Sequence, residues 1–378
     1  MRILICCGEN KNNKRYTSHD SFIQAFKDIG HEVITCGPVV GNYDGELEGE
    51  ARDIRVYDKK EHPETWTYKE ILDKCDKKPD LILQTDPHFY FIGEKPKDII
   101  TAYYIVDVHR GASVFRQMAL AGKFDYVFLA HKYFSPLFTK VGLNCFWLPR
   151  AYDDVLIKEY PEIDIECDIS FIGENGLGDK INKFPIYDTK VGNWYHEGPY
   201  PPASPQDKYR SWENRTMEYT ERAEILYRLS QDFNLRVYQG GVDRIDSRGV
   251  NYAKAICRGK ICVNHSLHMD SALRNFEILA CNRFLVSDML PYQEELLVHG
   301  KHYTAYNHYF LPHLDNFKLE YELIRDHVKL LLKHEDIRKE IAKEGCEFVN
   351  KYHTFKNRAK TVVDTIEGKS KGYQCPFK

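Results

Sequence analysis

The run NHSLHMDSALRNFEILACNRFLVSD, residues Asn264–Asp288, reads as the end of a short strand, a loop, a helix opening near Ser271, and a second strand over Arg283–Asp288. One carboxylate, Glu277, sits in the first turns of that helix among Phe276, Ile278 and Leu279. A carboxylate so placed suits the hydroxyls of a sugar. The helix N-terminus beside it offers free backbone N–H groups and a positive dipole end, which suit a diphosphate. This one element has the chemistry for both halves of a nucleotide-sugar.

The pattern extends in both directions. Upstream, Cys167–Gly173 (CDISFIG) is a strand, Arg222–Asp232 a helix, Leu235–Gln239 a strand ending at Gly240-Gly241, Tyr252–Arg258 a short helix and Ile261–Asn264 a strand. Downstream, Leu290–His299 reads as helical, Tyr303–Tyr306 as a short strand, Lys318–Val349 as mostly helical, and Phe355–Glu367 as a closing amphipathic helix. The first half has the same style. Arg2–Cys7 is an apolar run suited to a buried parallel strand. Phe22, Ala25, Phe26 and Ile29 fall at helical spacing within Ser18–Gly30. Further strands are expected at His31–Cys36, Asp80–Gln84, Ala102–Val106, Tyr126–Ala130 and Cys145–Leu148, with a helix at Trp66–Cys75. Strands alternating with helices predict α/β domains with parallel sheets. Ligands of such sheets bind beyond the carboxyl ends of strands. Gly8, Glu9, Asp86, His88, Asp107, His109 and His131 stand there.

At 378 residues the chain exceeds one ordinary core, so two domains are expected. A net charge of −3 provides no basic field for general nucleic-acid binding. The 11 cysteines are scattered without zinc spacing or a disulfide framework, which favours a reducing compartment, the cytoplasm. Cys6 and Cys7, adjacent in a strand, point to opposite faces as small buried residues. No apolar run approaches the roughly 20 residues of a membrane span. The opening MRILICCGEN lacks the long apolar region of a signal peptide and starts as a strand. Between the second domain's first strand and first helix lies an insert, 174–219, rich in proline and aromatic residues. An insert of that length is a candidate lid or acceptor contact.

The longer run RNFEILACNRFLVSDMLPYQEELLVHGKHYTAY, Arg274–Tyr306, resembles the C-terminal signature of GT-B glycosyltransferases. It is closest to the spore-maturation-protein-B-like group with its group 1 C-terminal domain. Arg274, Phe276, Glu277, Ala280, Cys281, Asp288, Glu295, Leu296 and Gly300 carry the match, and Phe171–Gly173, Arg222 and Lys260–Asn264 fit the same group. His353–Ala359 looks like the helix with which such chains return to their first domain.

The resemblance implies two Rossmann-like domains facing across a cleft. The first, 1–155, is on the acceptor side and is completed by 355–378; the second, 165–354, binds the nucleotide-sugar and carries the insert. It further implies that Glu277 binds the donor ribose, that Arg274 neutralises a phosphate, and that Ser271 and Ala272 offer backbone N–H groups. Asn264 would end a strand at the cleft, and Gly173 and Gly240 would let backbone approach the ligand. Two positions depart from the pattern. The glycine expected after Cys281 is Asn282, the next-best residue for a left-handed cap. Retaining branches carry a second glutamate eight positions before the first; here that position is Met269, with Asp270 beside it as a substitute. Both stereochemical outcomes stay open.

Transfer requires an acceptor hydroxyl to lose its proton and a diphosphate to leave, through a transition state with oxocarbenium character. His109 is the first candidate for the base, oriented by Asp107; His19 follows, then Asp86 or His88. GT-B enzymes stabilise the leaving group with dipoles and basic side chains, so no metal or cofactor is expected. The expected activity is a hexosyltransferase using a UDP-sugar in preference to a GDP-sugar. The acceptor is unidentified, and modified DNA stays among the candidates. The alternatives are a non-catalytic GT-B module that binds nucleotide or glycan, and a sugar-nucleotide epimerase or hydrolase.

Overall fold

Strand β1 (Arg2–Cys6) sets the pattern of the N-terminal half. Its side chains alternate between two faces, and both faces are covered, as a parallel sheet requires. In the computed structural model, residues 1–7, 9–10, 18–40, 54–56, 65–85, 90–92, 94–106, 108, 114–173, 187–188, 193–194, 222, 225–238, 249–266, 273–307 and 314–377 are described. They divide into one unit of Met1–Asp153 with Tyr352–Lys378 and another of Asp154–Lys351.

The first unit continues through β2 (Glu9–Asn10), α1 (Ser18–Asp28), β3 (Glu32–Val40), β4 (Ile54–Val56), β5 (Thr65–Thr67), α2 (Tyr68–Leu72), β6 (Leu81–Gln84) and β7 (Tyr90–Ile92). Then come β8 (Ile100–Ile105), α3 (Val114–Ala121), β9 (Tyr126–Leu129), α4 (Ser135–Lys140) and β10 (Cys145–Trp147). Its main sheet runs β10-β9-β8-β6-β1-β3-β2, with β4 beside β3 and every pair parallel. Ile3, Ile5 and Cys7 join Leu81 and Leu83 on the face that packs Phe22 and Phe26 of α1. Leu4, Cys6 and Ile82 face Tyr68 and Ile71 of α2. Cys6 and Cys7 therefore lie in different cores, as the alternation predicts.

The second unit holds β11 (Cys167–Ile172), a short antiparallel pair β12 (Tyr187–Asp188) and β13 (Asn193–Trp194), and α5 (residues 225–232). It continues with β14 (Leu235–Tyr238), α6 (Gly249–Cys257), β15 (Gly259–Asn264), α7 (Leu273–Ala280), β16 (Phe284–Met289), β17 (Thr304–Asn307), α8 (Leu314–Lys333) and α9 (Glu335–Tyr352). Its sheet runs β14-β11-β15-β16-β17, again all parallel. Ile225 and Leu229 of α5, with Tyr321, Ile324, Val328 and Leu331 of α8, pack on Ile169, Ile261, Val263, Phe284 and Val286. Helices α6 and α7 lie against β11, β15 and β16. Both units are thus doubly wound and Rossmann-like.

The chain returns to the first unit through α10 (Phe355–Ile366), whose Phe355, Ala359, Val362, Val363 and Ile366 complete the core around Phe22. Arg358 fixes this return. Its guanidinium is buried, and it donates to the carbonyls of Pro149 (2.7 Å), Arg150 (3.1 Å) and Tyr352 (2.9 Å) and contacts His353 Nδ1 at 2.7 Å. Among the described residues no carboxylate pairs with it, and burial lowers its pKa to about 10. A parallel bridge between Tyr152 and Thr354 joins the outgoing and returning segments, and Thr354 caps α10 in a capping box with Asn357.

Two expected helices differ, and the stretch expected to be mostly helical is in two parts. Trp66–Cys75 is a strand end followed by the five-residue α2, because Thr67 with Glu70 caps a helix start there. Leu290–His299 holds only a 3-10 turn at Gln293–Glu295. Tyr292 has φ +65°, a left-handed conformation that cannot continue a right-handed helix. Nearby backbone N–H groups are taken by imidazoles: Val298 donates to His302 Nδ1 (3.1 Å) and Ala305 to His299 Nδ1 (3.0 Å). Lys318–Val349 divides at His334 into α8 and α9, where buried Arg338 donates to the Leu331 carbonyl at 2.8 Å.

Two outcomes test this packing. Replacing Arg358 by Met removes the donor from three carbonyls, one buried and two half-buried, and should lower the unfolding free energy by about 3 kcal/mol, read by urea titration. His302 is buried against Phe348, and desolvation, helped by the charge of Lys301, lowers its pKa from 6.5 to about 4. The unfolded chain therefore takes up a proton that the fold refuses. Stability should fall as pH drops from about 6.5 towards 4, and His302→Gln should flatten that part of the profile.

Candidate functional site

In the second unit β11 comes first; β14 adds on one side and β15 on the other. The strand order therefore reverses between β11 and β15, and a ligand crevice opens at the carboxyl ends of such a pair. Gly173 and Asn264 stand at those ends. Gly173 has φ +139°, and a Cβ there would lie 2.7 Å from Cζ of Arg274. Only glycine leaves room for the guanidinium. Arg274, in the first turn of α7, donates through Nη1 to Asn264 Oδ1 at 2.9 Å. Its guanidinium also lies over the ring of Phe171 (5.3 Å to the centroid), which Arg222 approaches at 5.6 Å. Phe171 is thus a platform and Gly173 a clearance for one cation at the reversal point.

A buried polar network holds that cation's partners. Asn264 Nδ2 donates to Asn275 Oδ1 at 2.8 Å, and the Ser287 hydroxyl, whose one proton is shared with Asp288, lies 3.3 Å from the same oxygen. Asp288 Oδ1 accepts from the Ser266 backbone N–H (3.0 Å) and from the Ser287 hydroxyl (3.1 Å). All five residues are buried. The network ties the ends of β15 and β16 to the first turn of α7, and low local dielectric strengthens each bond. Arg222 donates to the His265 carbonyl (2.9 Å), and Tyr306 donates to the Asn264 carbonyl (3.0 Å).

Glu277 lies one turn along α7 from Arg274. Tyr252 on α6, itself buried, donates its hydroxyl to Glu277 Oε2 at 2.8 Å. Burial, then the Glu277 charge, push the Tyr252 phenol well above its ordinary pKa, while Arg274 pulls the other way. The phenol is a hydrogen-bond donor at any working pH. The far end of α7 closes as its sequence predicts: Asn282 has φ +54°, its N–H reaches the Leu279 carbonyl (2.9 Å), and that of Arg283 reaches Ile278 (3.4 Å). This is the Schellman pattern, with asparagine in place of glycine.

Of the residues expected at the site, Gly173, Asn264 and Arg274 meet at one point, with Glu277 on the same helix. Asp107, His109, Gly240, Asp270, Ser271 and Ala272 lie outside the described residues, as do Asp86, His88 and Met269. His19 falls in α1, with its side chain outside the description. Sequence reading missed Tyr252 and Asn275. Tyr252 is 25 positions from its partner, on another helix, and no spacing rule joins them. Asn275 follows Arg274 on an amphipathic helix, and its inward direction is the one local sign of a buried polar role. Among the described residues no three His, Cys, Asp or Glu side chains gather to hold a metal ion, and no helix is long and apolar enough to cross a membrane.

Residues 221–364 match the family model described as glycosyl transferase-like. That segment is similar to this family, and the fold of the chain is GT-B. Among solved structures, sucrose-phosphate synthase from Thermosynechococcus elongatus aligns with a TM-score of 0.59 at 12% identity, over 97% of this chain and 98% of that one. Anabaena HepE in complex with UDP and glucose aligns with a TM-score of 0.56 at 11% identity, over 97% and 100%. An α-glucosyltransferase in complex with UDP and a mismatched DNA aligns with a TM-score of 0.53 at 12% identity, over 97% and 99%. No curated protein sequence matches the chain. At these identities the likeness is one of fold, and the glycosyl transferase-like segment contains Glu277, Arg274 and Asn264 by its own residues.

The close approach of Gly173 and Arg274 is open to a double-mutant cycle. Gly173→Ala should destabilise the protein by about 1–3 kcal/mol, from strain and displacement of the guanidinium. Gly173→Ala combined with Arg274→Ala should cost less than the sum of the two, by about 0.5 kcal/mol or more in urea unfolding.

Proposed function

We propose that this chain is a glycosyltransferase that moves a hexose from a nucleoside-diphosphate sugar, UDP-linked in preference to GDP-linked, to an acceptor hydroxyl. The observation that carries this reading is Arg274 at the reversal point of the second sheet. It is a cation held over a glycine, in the first turn of a helix, one turn from a half-buried carboxylate. Cation and helix start suit a diphosphate, and the carboxylate of Glu277 suits the vicinal hydroxyls of a ribose. The GT-B fold and the glycosyl transferase-like segment support the same assignment. So do the solved structures of like fold that hold UDP.

In the proposed reaction the acceptor oxygen attacks the anomeric carbon. The bond from that carbon to the β-phosphate oxygen breaks, and the nucleoside diphosphate leaves with the electron pair. Arg274 and the N–H groups at the start of α7 offset the developing charge, so the route needs no metal. The acceptor's proton passes to a base on the first unit; His109, oriented by Asp107, is the candidate, with His19 second. The acceptor-side role belongs to the first unit and the donor-side role to the second. Eleven scattered cysteines whose spacing gives no disulfide framework favour a reducing compartment, and we place the enzyme in the cytoplasm.

A thermal-shift series with UDP, GDP, ADP and TDP tests the donor site, because a ligand of the folded state raises the melting point. Glu277→Ala should reduce the UDP shift, since the ribose contact is lost while the phosphate contacts remain. Arg274→Ala should weaken nucleoside-diphosphate binding at least about tenfold while affecting the plain nucleoside far less, since one buried charge-assisted contact is of that order. A UDP or GDP shift left intact by Glu277→Ala would refute the assignment.

A further inference from the structure

Glu277 is a long, half-buried side chain of α7, and a site that reads a ribose needs its carboxylate in one orientation. A glutamate left to itself samples several rotamers, and the loss of that freedom weakens binding. The structure supplies a restraint from a neighbouring helix. Tyr252 projects from α6 with its ring buried, and its hydroxyl donates to Glu277 Oε2 at 2.8 Å. A ring with two side-chain torsions, packed into the protein, is a far stiffer anchor than a solvated partner. Helices α6 and α7 also pack together, and the Cys281 thiol at the end of α7 lies 3.9 Å from the Ala253 carbonyl of α6. The distance spanned by the hydrogen bond is therefore set by the helix pair.

The electrostatics agree. Burial, then the charge of Glu277, keeps the proton on Tyr252, so the bond runs from phenol to carboxylate. A carboxylate has about four acceptor positions, and the phenol occupies one of them. Arg274, which contacts Asn264 at the reversal point, also acts on the same phenol.

We propose that Tyr252 is a positioning residue. From α6 it holds the Glu277 carboxylate in the orientation that accepts the ribose hydroxyls of the donor nucleotide. This inference rests on the donor-site reading above. It assigns Tyr252 no contact with the reacting atoms. Its signature is in nucleotide selectivity: without the phenol, the cost falls on ligands that use the ribose 2′-hydroxyl.

The test compares UDP with 2′-deoxy-UDP by isothermal titration, in the wild-type chain, Tyr252→Phe and Glu277→Ala. GDP and 2′-deoxy-GDP form a second pair. The wild type should prefer the ribonucleotide. Glu277→Ala should bind both alike. Tyr252→Phe keeps the ring and its packing; it should lose about five- to twentyfold in UDP affinity with 2′-deoxy-UDP nearly unchanged, the range expected for one hydrogen bond to a charged group. Retained 2′-deoxy-UDP binding also reports that the variant is folded. A merely structural role for Tyr252 would weaken both nucleotides equally and leave the ratio as in the wild type, which would overturn the inference alone if Glu277→Ala still removes the preference. A wild-type chain that does not separate the two nucleotides, and matches its Glu277→Ala variant, would overturn the donor-site reading and the inference with it.

Discussion

The buried guanidinium of Arg358 is the constraint on which the chain's division depends. A cation taken from water must find full hydrogen bonding or it destabilises the fold by several kcal/mol. Here the partners are backbone carbonyls of the segment that leaves the first unit, Pro149 and Arg150, and of the segment that returns to it, Tyr352. The two crossings are thereby held side by side, with Tyr152 and Thr354 bridged. Only from that point can α10 start, at its Thr354 cap, with Phe355, Ala359 and Val362 aimed into the core around Phe22. The first unit is complete only when the last helix has arrived.

Within the second unit a different economy of charge operates. The polar residues at the ends of β15 and β16 form a connected set that terminates in Arg274, and Arg274 sits where the strand order reverses. Parallel sheets leave their strand ends without side-chain cover at such a point, which is why ligands settle there. The set has one exposed purpose and many buried members. Asn264, Asn275, Ser287 and Asp288 do not need to touch a ligand to matter; they determine where the guanidinium and the start of α7 stand.

The parts of this molecule legible in sequence are those governed by local backbone geometry. Apolar runs such as Ile3–Cys7 and Ile261–Val263 alternate between covered faces, and that alternation marks buried parallel strands. Asn282 could be read as a left-handed cap because few residues adopt that conformation, and it has φ +54°. Leu290–His299 was legible only in part: its apolar spacing suits a helix, but Tyr292 turns left-handed and two imidazoles take nearby backbone N–H groups. The resemblance to GT-B chains pointed to Arg274, Asn264 and Gly173, and the fold brings these three together.

By itself the sequence determined the class of fold, through the 2.0 and 3.6 periods of its strands and helices, and determined that Arg274 and Glu277 are neighbours on one helix, because residues three apart lie close to one turn from each other. Tertiary structure alone decided what those two residues meet. Arg274 meets Gly173 because β11 and β15 are neighbours in the sheet, although about ninety positions separate them in the register Ser170–Cys262. Glu277 meets Tyr252 because α6 packs beside α7. Contacts of that kind depend on how strands are ordered and helices laid across them, and no periodicity within a single segment encodes that order.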